Sequence, residues 1–320
     1  MSDLRARAHA VVTGSSGFIG RHLIAALAAR GDTVVGIDRR PAVPGAPGIH
    51  VQLDLADPAS RVIVSDVLRS AEVVFHLAAR PGVRGSGPEI AVARQRDNVD
   101  AGRVVLEETP PDTPIVVTSS SSVYGGARVV DGVVRASHES DPLRPLGGYA
   151  CSKVELERLC EARVAAGGLV MVARPFTAVG EHQRDDMALT RWLRAALAGR
   201  PLPVLGSLER LRDFTDVHGV VRALLALAAH GEPVVVNVGT GRPRSLGEVV
   251  ASIEAVLDRE LTVDVVPAGT EEPAATRAHT ARCERVCGFV PVTDLVAVVR
   301  RTLDVLADVH AAEPALVGSR

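Results

Sequence analysis

The sequence predicts an α/β fold, a doubly wound parallel sheet followed by a smaller C-terminal substrate-binding lobe. Three observations carry that expectation. Strands alternate with helices through the first 175 of 320 residues, which calls for a parallel sheet covered on both faces. A glycine-rich turn, Gly14 to Gly20, joins the first strand to the first helix. Hydrophobic residues make up 47% of the chain and aromatics only 2%, so the core must be built from Val, Leu, Ile and Ala.

Each element follows from local pattern. Residues 8–13 read as a short buried strand, and the Ala/Leu-rich run 18–30 after the glycine turn as a helix. Residues 33–38, 49–53, 72–77 and 114–118 are the next four strands, with helical patterns at 60–69 and 89–108 between them. A long helix over 149–165 precedes a sixth strand at 169–174. Beyond residue 175 the pattern loosens. Helices are expected at 186–199, 216–229, 246–258 and 292–308, strands at 233–238 and 261–266, and a frayed tail over the last ten residues. At about 150 residues per domain this is one large unit or two intimate ones. Residues 1–175 are expected to hold a dinucleotide and 176–320 mainly a substrate.

Composition removes several classes of function. The formal net charge is −2, from 36 basic and 38 acidic residues, which gives no field for capturing nucleic acid or an anionic membrane. The longest apolar runs, 23–29 and 223–229, are too short to span a bilayer. The first ten residues carry Asp3, Arg5 and Arg7 and lack the apolar stretch of a signal peptide. Cys151, Cys160, Cys283 and Cys287 form neither a paired framework nor a CxxC metal site. A reduced cytoplasmic enzyme with no metal is the expectation.

The turn Gly14-Ser15-Ser16-Gly17-Phe18-Ile19-Gly20 has GxxGxxG spacing between a strand and a helix, the setting of a Rossmann-type dinucleotide site. Glycines let backbone approach a pyrophosphate, which the helix N-terminus holds through free N–H groups. Asp38 ends the second strand 18 residues beyond Gly20, near the spacing of about 20 for the acid that binds ribose hydroxyls. A carboxylate there repels a 2′-phosphate, which favours NAD, although Arg39 and Arg40 follow at once. Asp54-Leu55 after the third strand either reaches the adenine or caps the next helix.

One count bears on catalysis. Lys153 is the single lysine among 36 basic residues, and Tyr124 and Tyr149 are the only tyrosines. Tyr149 and Lys153 stand four apart, on one face of the helix. An ammonium beside a phenol favours phenolate, which makes Tyr149 a general base for a hydroxyl proton. The hydroxyl run Thr118-Ser119-Ser120-Ser121-Ser122 lies at the end of the fifth strand, where α/β sheets bind ligands.

Together these residues resemble the extended short-chain dehydrogenase/reductase family, specifically its NAD-dependent nucleotide-sugar epimerases and dehydratases. The resemblance runs from about residue 8 to residue 290. It includes TGSSGFIG at 13–20, HLAAR at 76–80, Asn98, SSSSVYG at 119–125, YACSK at 149–153, RPFTAVG at 174–180, RDFTDVH at 212–218 and VNVGTG at 236–241. It implies Ser120 as the hydroxyl partner of Tyr149, Lys153 on the nicotinamide ribose and Arg212 on the substrate diphosphate. Gly14, Ser16, Gly17, Phe18, Ile19, Gly20, Asp38, Arg39, Asp54, Leu55, Leu77, Ala78, Ala79 and Asn98 join Tyr149 and Lys153 as the expected NAD contacts. A homodimer through two long helices is implied as well.

Within the family the chain looks most like UDP-glucuronate 4-epimerases. Related dehydratases and UDP-xylose synthases carry carboxylates before their VYG, where Ser121 and Ser122 stand here, so elimination is disfavoured. Thr177 and Arg184 occupy positions that in those epimerases contact the sugar carboxylate, and a guanidinium with a hydroxyl suits that group. The GVR at 82–84, which includes Arg84, matches the same group. Glu181 and Asp185 replace prolines, and an expected diphosphate arginine gives way to Gly269-Thr270-Glu271-Glu272, with Arg277 as a substitute nearby. The function implied is C4 epimerisation of a UDP-sugar, best UDP-glucuronate to UDP-galacturonate. A decarboxylase, a 4-ketoreductase and a non-catalytic dinucleotide sensor are the alternatives.

Overall fold

Runs of β-branched residues build the central sheet. In a computed structural model, which describes residues 9–82 and 87–317 with side chains as far as residue 307, seven parallel strands form. They are β1 (His9–Thr13), β2 (Thr33–Asp38), β3 (Ile49–Gln52), β4 (Val73–His76), β5 (Ile115–Thr118), β6 (Val170–Pro175) and β7 (Val234–Val238). Their order is β7-β6-β5-β4-β1-β2-β3. The chain therefore reverses direction across the sheet between β1 and β4, the switch point at which such folds bind ligands beyond the strand ends. β7 comes from the second half of the sequence, yet pairs with β6 from Val234↔Met171 to Val238↔Pro175.

Side-chain alternation along each strand divides the core. Ala10, Val12, Phe75, Val116 and Met171 face the helices Phe18–Ala29 and Val217–His230, whose Leu23, Leu27, Val220 and Leu224 they meet. Val11, Ile37, Val74, Ile115 and Val117 point the other way, against Val64, Leu68, Val105 and Leu156. A separate cluster around Trp192, Leu193, Val204, Val249, Ile253 and Val298 fills the C-terminal lobe.

Two helices differ from the sequence pattern. The expected helix over 89–108 forms in three parts: Pro88–Arg94, a π-helical turn at Gln95–Asp100, and Ala101–Glu108. Such wide turns concentrate at functional sites, and this one carries Asp97 and Asn98. The last helix runs Leu295–Val317, beyond the expected residue 308 and into the stretch expected to fray. An unexpected helix, Ala281–Cys287, buries Cys283 against the sheet. All four cysteines are free thiols.

His76, at the end of β4, is 1% exposed, and its Nδ1 lies 2.8 Å from Thr13 Oγ1. Burial, helped by the nearby Lys153 ammonium, pulls the imidazole down to about 3 from the ordinary 6.5. The unfolded chain takes up this proton below pH 6.5 and the folded chain does so only near pH 3. Stability is therefore full above 6.5 and falls with acid across that window, by up to about 1.4 kcal/mol per pH unit. Urea unfolding between pH 7 and 4 should show a shallower acid slope for His76→Asn. An unchanged slope would assign the acid sensitivity to other groups.

Candidate active site

A cavity of about 590 Å³ runs along the C-terminal ends of the strands and under the second lobe. At one end lies the glycine turn. Gly14 has φ +71°, and a Cβ there would stand 2.7 Å from the Ala78 backbone nitrogen. A Cβ on Gly20 would clash with the Gly14 carbonyl oxygen. Only glycine permits this packing of turn, helix and β4 loop. Gly17 precedes the helix in extended conformation, and no side chain caps its first N–H groups. Those free donors and the positive helix end suit a pyrophosphate. Gly14, Gly17, Phe18, Ile19, Gly20, Asp38, Arg39, Asp54, Leu55, Leu77, Ala78 and Ala79 all line the cavity.

Ser16 and Asn98, expected on the cofactor, are absent from that lining. The Ser16 hydroxyl donates to Pro41 O at 2.8 Å. Asn98 is fully buried and ties Arg80 N (2.6 Å) and Ser152 Oγ (2.8 Å) together, so it fixes the β4 loop against the Tyr149 helix. Asp38 is 8% exposed and accepts from Ser16 N at 3.0 Å and Arg40 N at 2.9 Å, with the Arg40 guanidinium 3.3 Å away. Arg39 donates to Asp97 at 3.0 Å, and Asp54 accepts from Ala56 N and from Arg96. Arginines thus surround the end expected to hold adenosine.

Midway along the cavity stand Ser120, Tyr149 and Lys153. Lys153 is 3% exposed, and its Nζ donates to Thr118 O at 2.8 Å. Burial draws its ammonium down to about 8. Ser120 neighbours the Tyr149 phenol; burial raises the phenol's pKa above the ordinary value, while Ser120, Arg184 and Arg94 pull it back. The expected lowering of this pKa by Lys153 is not seen: burial raises it, and Lys153 is not among the groups that pull it back. Two buried hydroxyl oxygens in the same wall, Thr118 Oγ1 and Ser122 Oγ, have no hydrogen-bond partner. Unsatisfied buried groups of this kind fit a polar ligand.

A buried ion-pair network lies behind Ser120 and Lys153. Ser119 donates to Glu157, which stands one turn beyond Lys153. Arg174 grips both Glu157 oxygens, at 2.9 and 2.5 Å, and donates to the Tyr124 hydroxyl at 2.7 Å. That hydroxyl donates to Asn237 on β7, and burial pushes its pKa up to about 12.

The far end of the cavity holds Ser121, Ser122, Thr177, Arg184 and Arg212. Arg184 forms a two-pronged pair with Asp186, at 2.8 and 3.0 Å. Arg212 faces Glu272 at 3.4 Å, and both Glu271 and Glu272 line the wall. Arg277 does not reach the cavity lining, because it donates to Gly241 O and Val134 O, both at 3.1 Å. Arg84 lies outside the described residues. Sequence reasoning missed Arg191 and Trp192, which line the cavity from the helix Ala188–Leu197. Nothing in the sequence distinguished Arg191 among so many arginines.

With this geometry in place, residues 10–239 match the model of the NAD dependent epimerase/dehydratase family. The chain is 30% identical over 309 residues to the uncharacterized UDP-glucose epimerase YtcB of Bacillus subtilis, covering 89% of this chain and 93% of that one. Among solved structures, MoeE5 in complex with UDP-glucuronic acid and NAD is 34% identical with a TM-score of 0.84, covering 94% of this chain and 99% of MoeE5. The UDP-glucuronic acid 4-epimerase from Bacillus cereus, in complex with UDP-glucuronic acid and NAD, is 25% identical with a TM-score of 0.85, covering 94% and 99%.

Proposed function

The chain belongs to the NAD-dependent epimerase/dehydratase family, and on that premise we propose that it interconverts UDP-glucuronate and UDP-galacturonate at C4. The observation that carries this reading is the placement of Thr177 and Arg184 in one cavity with Ser120, Tyr149 and Lys153. A cation and a hydroxyl for a carboxylate thus share a wall with an acid–base pair.

The residues fit NAD: the uncapped N–H groups of Phe18 and Ile19 for the pyrophosphate, Asp38 for ribose, Asp54 and Leu55 beside adenine, Lys153 for the second ribose. NAD, when bound, supplies a two-electron acceptor that takes hydride from C4 and returns it. Tyr149, assisted by Ser120, takes the 4-hydroxyl proton and later gives it back to the 4-keto oxygen. Lys153, fixed on Thr118 O, supplies the neighbouring positive charge. Arg212 is the cation for the diphosphate, and rotation of the sugar about that tether exposes its other face. The same reading includes a homodimer in the cytoplasm.

Arg184 is shared with Asp186, so a substrate carboxylate must compete for it. A weakly held 4-keto acid loses CO₂, and this pairing supports decarboxylation as the second reading. Proton NMR of UDP-glucuronate with the purified protein and no added cofactor separates the two. A galacturonate anomeric signal supports epimerisation, whereas pentose signals mean decarboxylation. An unchanged spectrum with NAD shown to be bound would sink both. In the same assay Arg184→Ala should raise KM for UDP-glucuronate roughly 10- to 100-fold, the worth of a charged hydrogen bond. Asp186→Asn should lower it. If neither variant moves KM, the carboxylate assignment is wrong.

A further inference from the structure

Behind the cofactor end of the cavity, three distant segments bring nitrogen and oxygen donors together. His22 lies one turn along the first helix from Phe18, Glu181 follows the strand Thr177–Val179, and His218 is the second residue of the helix Val217–His230. Glu181 Oε1 stands 2.7 Å from His218 Nε2 and 4.0 Å from His22 Nδ1. The rings of His22 and His218 are 5.2 Å apart at 74°, so their edges converge on this oxygen without stacking.

The hydrogen bonding fixes which His22 nitrogen is free, while the His218 Nε2–Glu181 Oε1 contact of 2.7 Å is one that an ion between the two atoms would replace. His22 Nε2 lies 3.1 Å from the Glu181 carbonyl oxygen, an acceptor only, so Nε2 carries the proton. Nδ1 is left facing a carboxylate oxygen beyond hydrogen-bond reach. A backbone carbonyl that orients one imidazole nitrogen so that the other can ligate is the usual support of a metal-binding histidine. Bond lengths of about 2.0–2.2 Å from N and O donors to zinc span a gap of this size. Arg301 holds Glu181 Oε2 at 3.1 Å and Asp216 at 2.6 Å, which directs Oε1 into the gap. Two carboxylates on one guanidinium leave that group net negative, against the opposing charge of Arg21 nearby. The His218 side chain is 57% exposed, which gives an ion a route in. His182 follows Glu181 with φ +61° and sets its ring 6.0 Å from that of His22.

We propose that His22, Glu181 and His218 bind one divalent transition-metal ion of the zinc class, with water completing a tetrahedron. The ion joins the helix that carries the glycine turn to two segments of the second half, and acts as a structural staple apart from the chemistry. No sequence motif announces it, because the three ligands are 159 and 37 positions apart along the chain.

The test uses the full chain, treated with chelator and dialysed. Titration with Zn²⁺ in a calorimeter should give one site per chain, and the melting temperature should rise with metal concentration. Co²⁺ should give the visible absorption of a tetrahedral nitrogen–oxygen site. His218→Ala, at an exposed position that leaves packing intact, and His22→Ala should each weaken binding by at least about 100-fold. Cys151→Ala and Cys287→Ala should leave it unchanged. Absence of heat and of a Co²⁺ band at a hundredfold metal excess would overturn the proposal. Binding that survives in His218→Ala with wild-type affinity would do the same.

Discussion

Tyr149→Phe lowers kcat for sugar conversion by about 10²- to 10⁴-fold, the span that a positioned general base contributes, and leaves bound NAD and the melting temperature close to wild type. The expectation rests on what surrounds the phenol. Tyr149 lines the cavity beside Ser120, and Lys153 is locked on Thr118 O in the same wall. Removing one hydroxyl deletes the proposed proton acceptor without opening a void. Burial raises the phenol's pKa, so its ionisation depends on the cations and donors around it. Lys153, drawn down to about 8, loses its proton above that pH. The alkaline limb of log kcat against pH should therefore break near 8. A Tyr149→Phe enzyme that converts UDP-glucuronate at the wild-type rate would overturn the catalytic assignment, whatever the substrate's exact identity.

How much of this was legible in the sequence follows a physical rule. The glycine turn, Asp38 and the Tyr149–Lys153 pair were readable as patterns because each is set by spacing within one strand, turn or helix, whereas Ser120 was singled out from its serine run only by the family resemblance. Six of the seven sheet strands, β1 to β6, were likewise readable as short runs rich in Val, Ile and Leu bounded by turn residues. The seventh was visible as a strand, but its place beside β6 depends on where the helix Val217–His230 returns the chain. Side-chain destinations across loops were the least legible. Arg277 could reach a diphosphate by sequence position, yet its loop aims it at two carbonyls. Asn98 carried a family signature, but the π-helical turn that holds it points its amide into the protein. The Arg184–Asp186 pair was unreadable because two residues at i and i+2 meet only in a tight turn.

The buried network behind the site was equally invisible, and it carries the second large effect. Glu157→Ala should destabilise the fold by about 3–5 kcal/mol, read as a fall in the urea midpoint. Glu157 and Arg174 are 2% and 4% exposed, and the pair holds Arg174 well above the ordinary guanidinium range. Deleting the carboxylate leaves a desolvated guanidinium with the Tyr124 hydroxyl and the Glu139 carbonyl as its remaining partners. The double variant Glu157→Leu/Arg174→Met removes both charges and should cost much less than the sum of the single changes, a coupling that a double-mutant cycle measures. Stability and activity should then part company. The double variant also removes the acceptor of the Ser119 hydroxyl, the neighbour of Ser120, so its kcat should stay depressed while its midpoint recovers. Recovery of both would make the ion pair purely a matter of folding, with no part in aiming Ser120 at Tyr149.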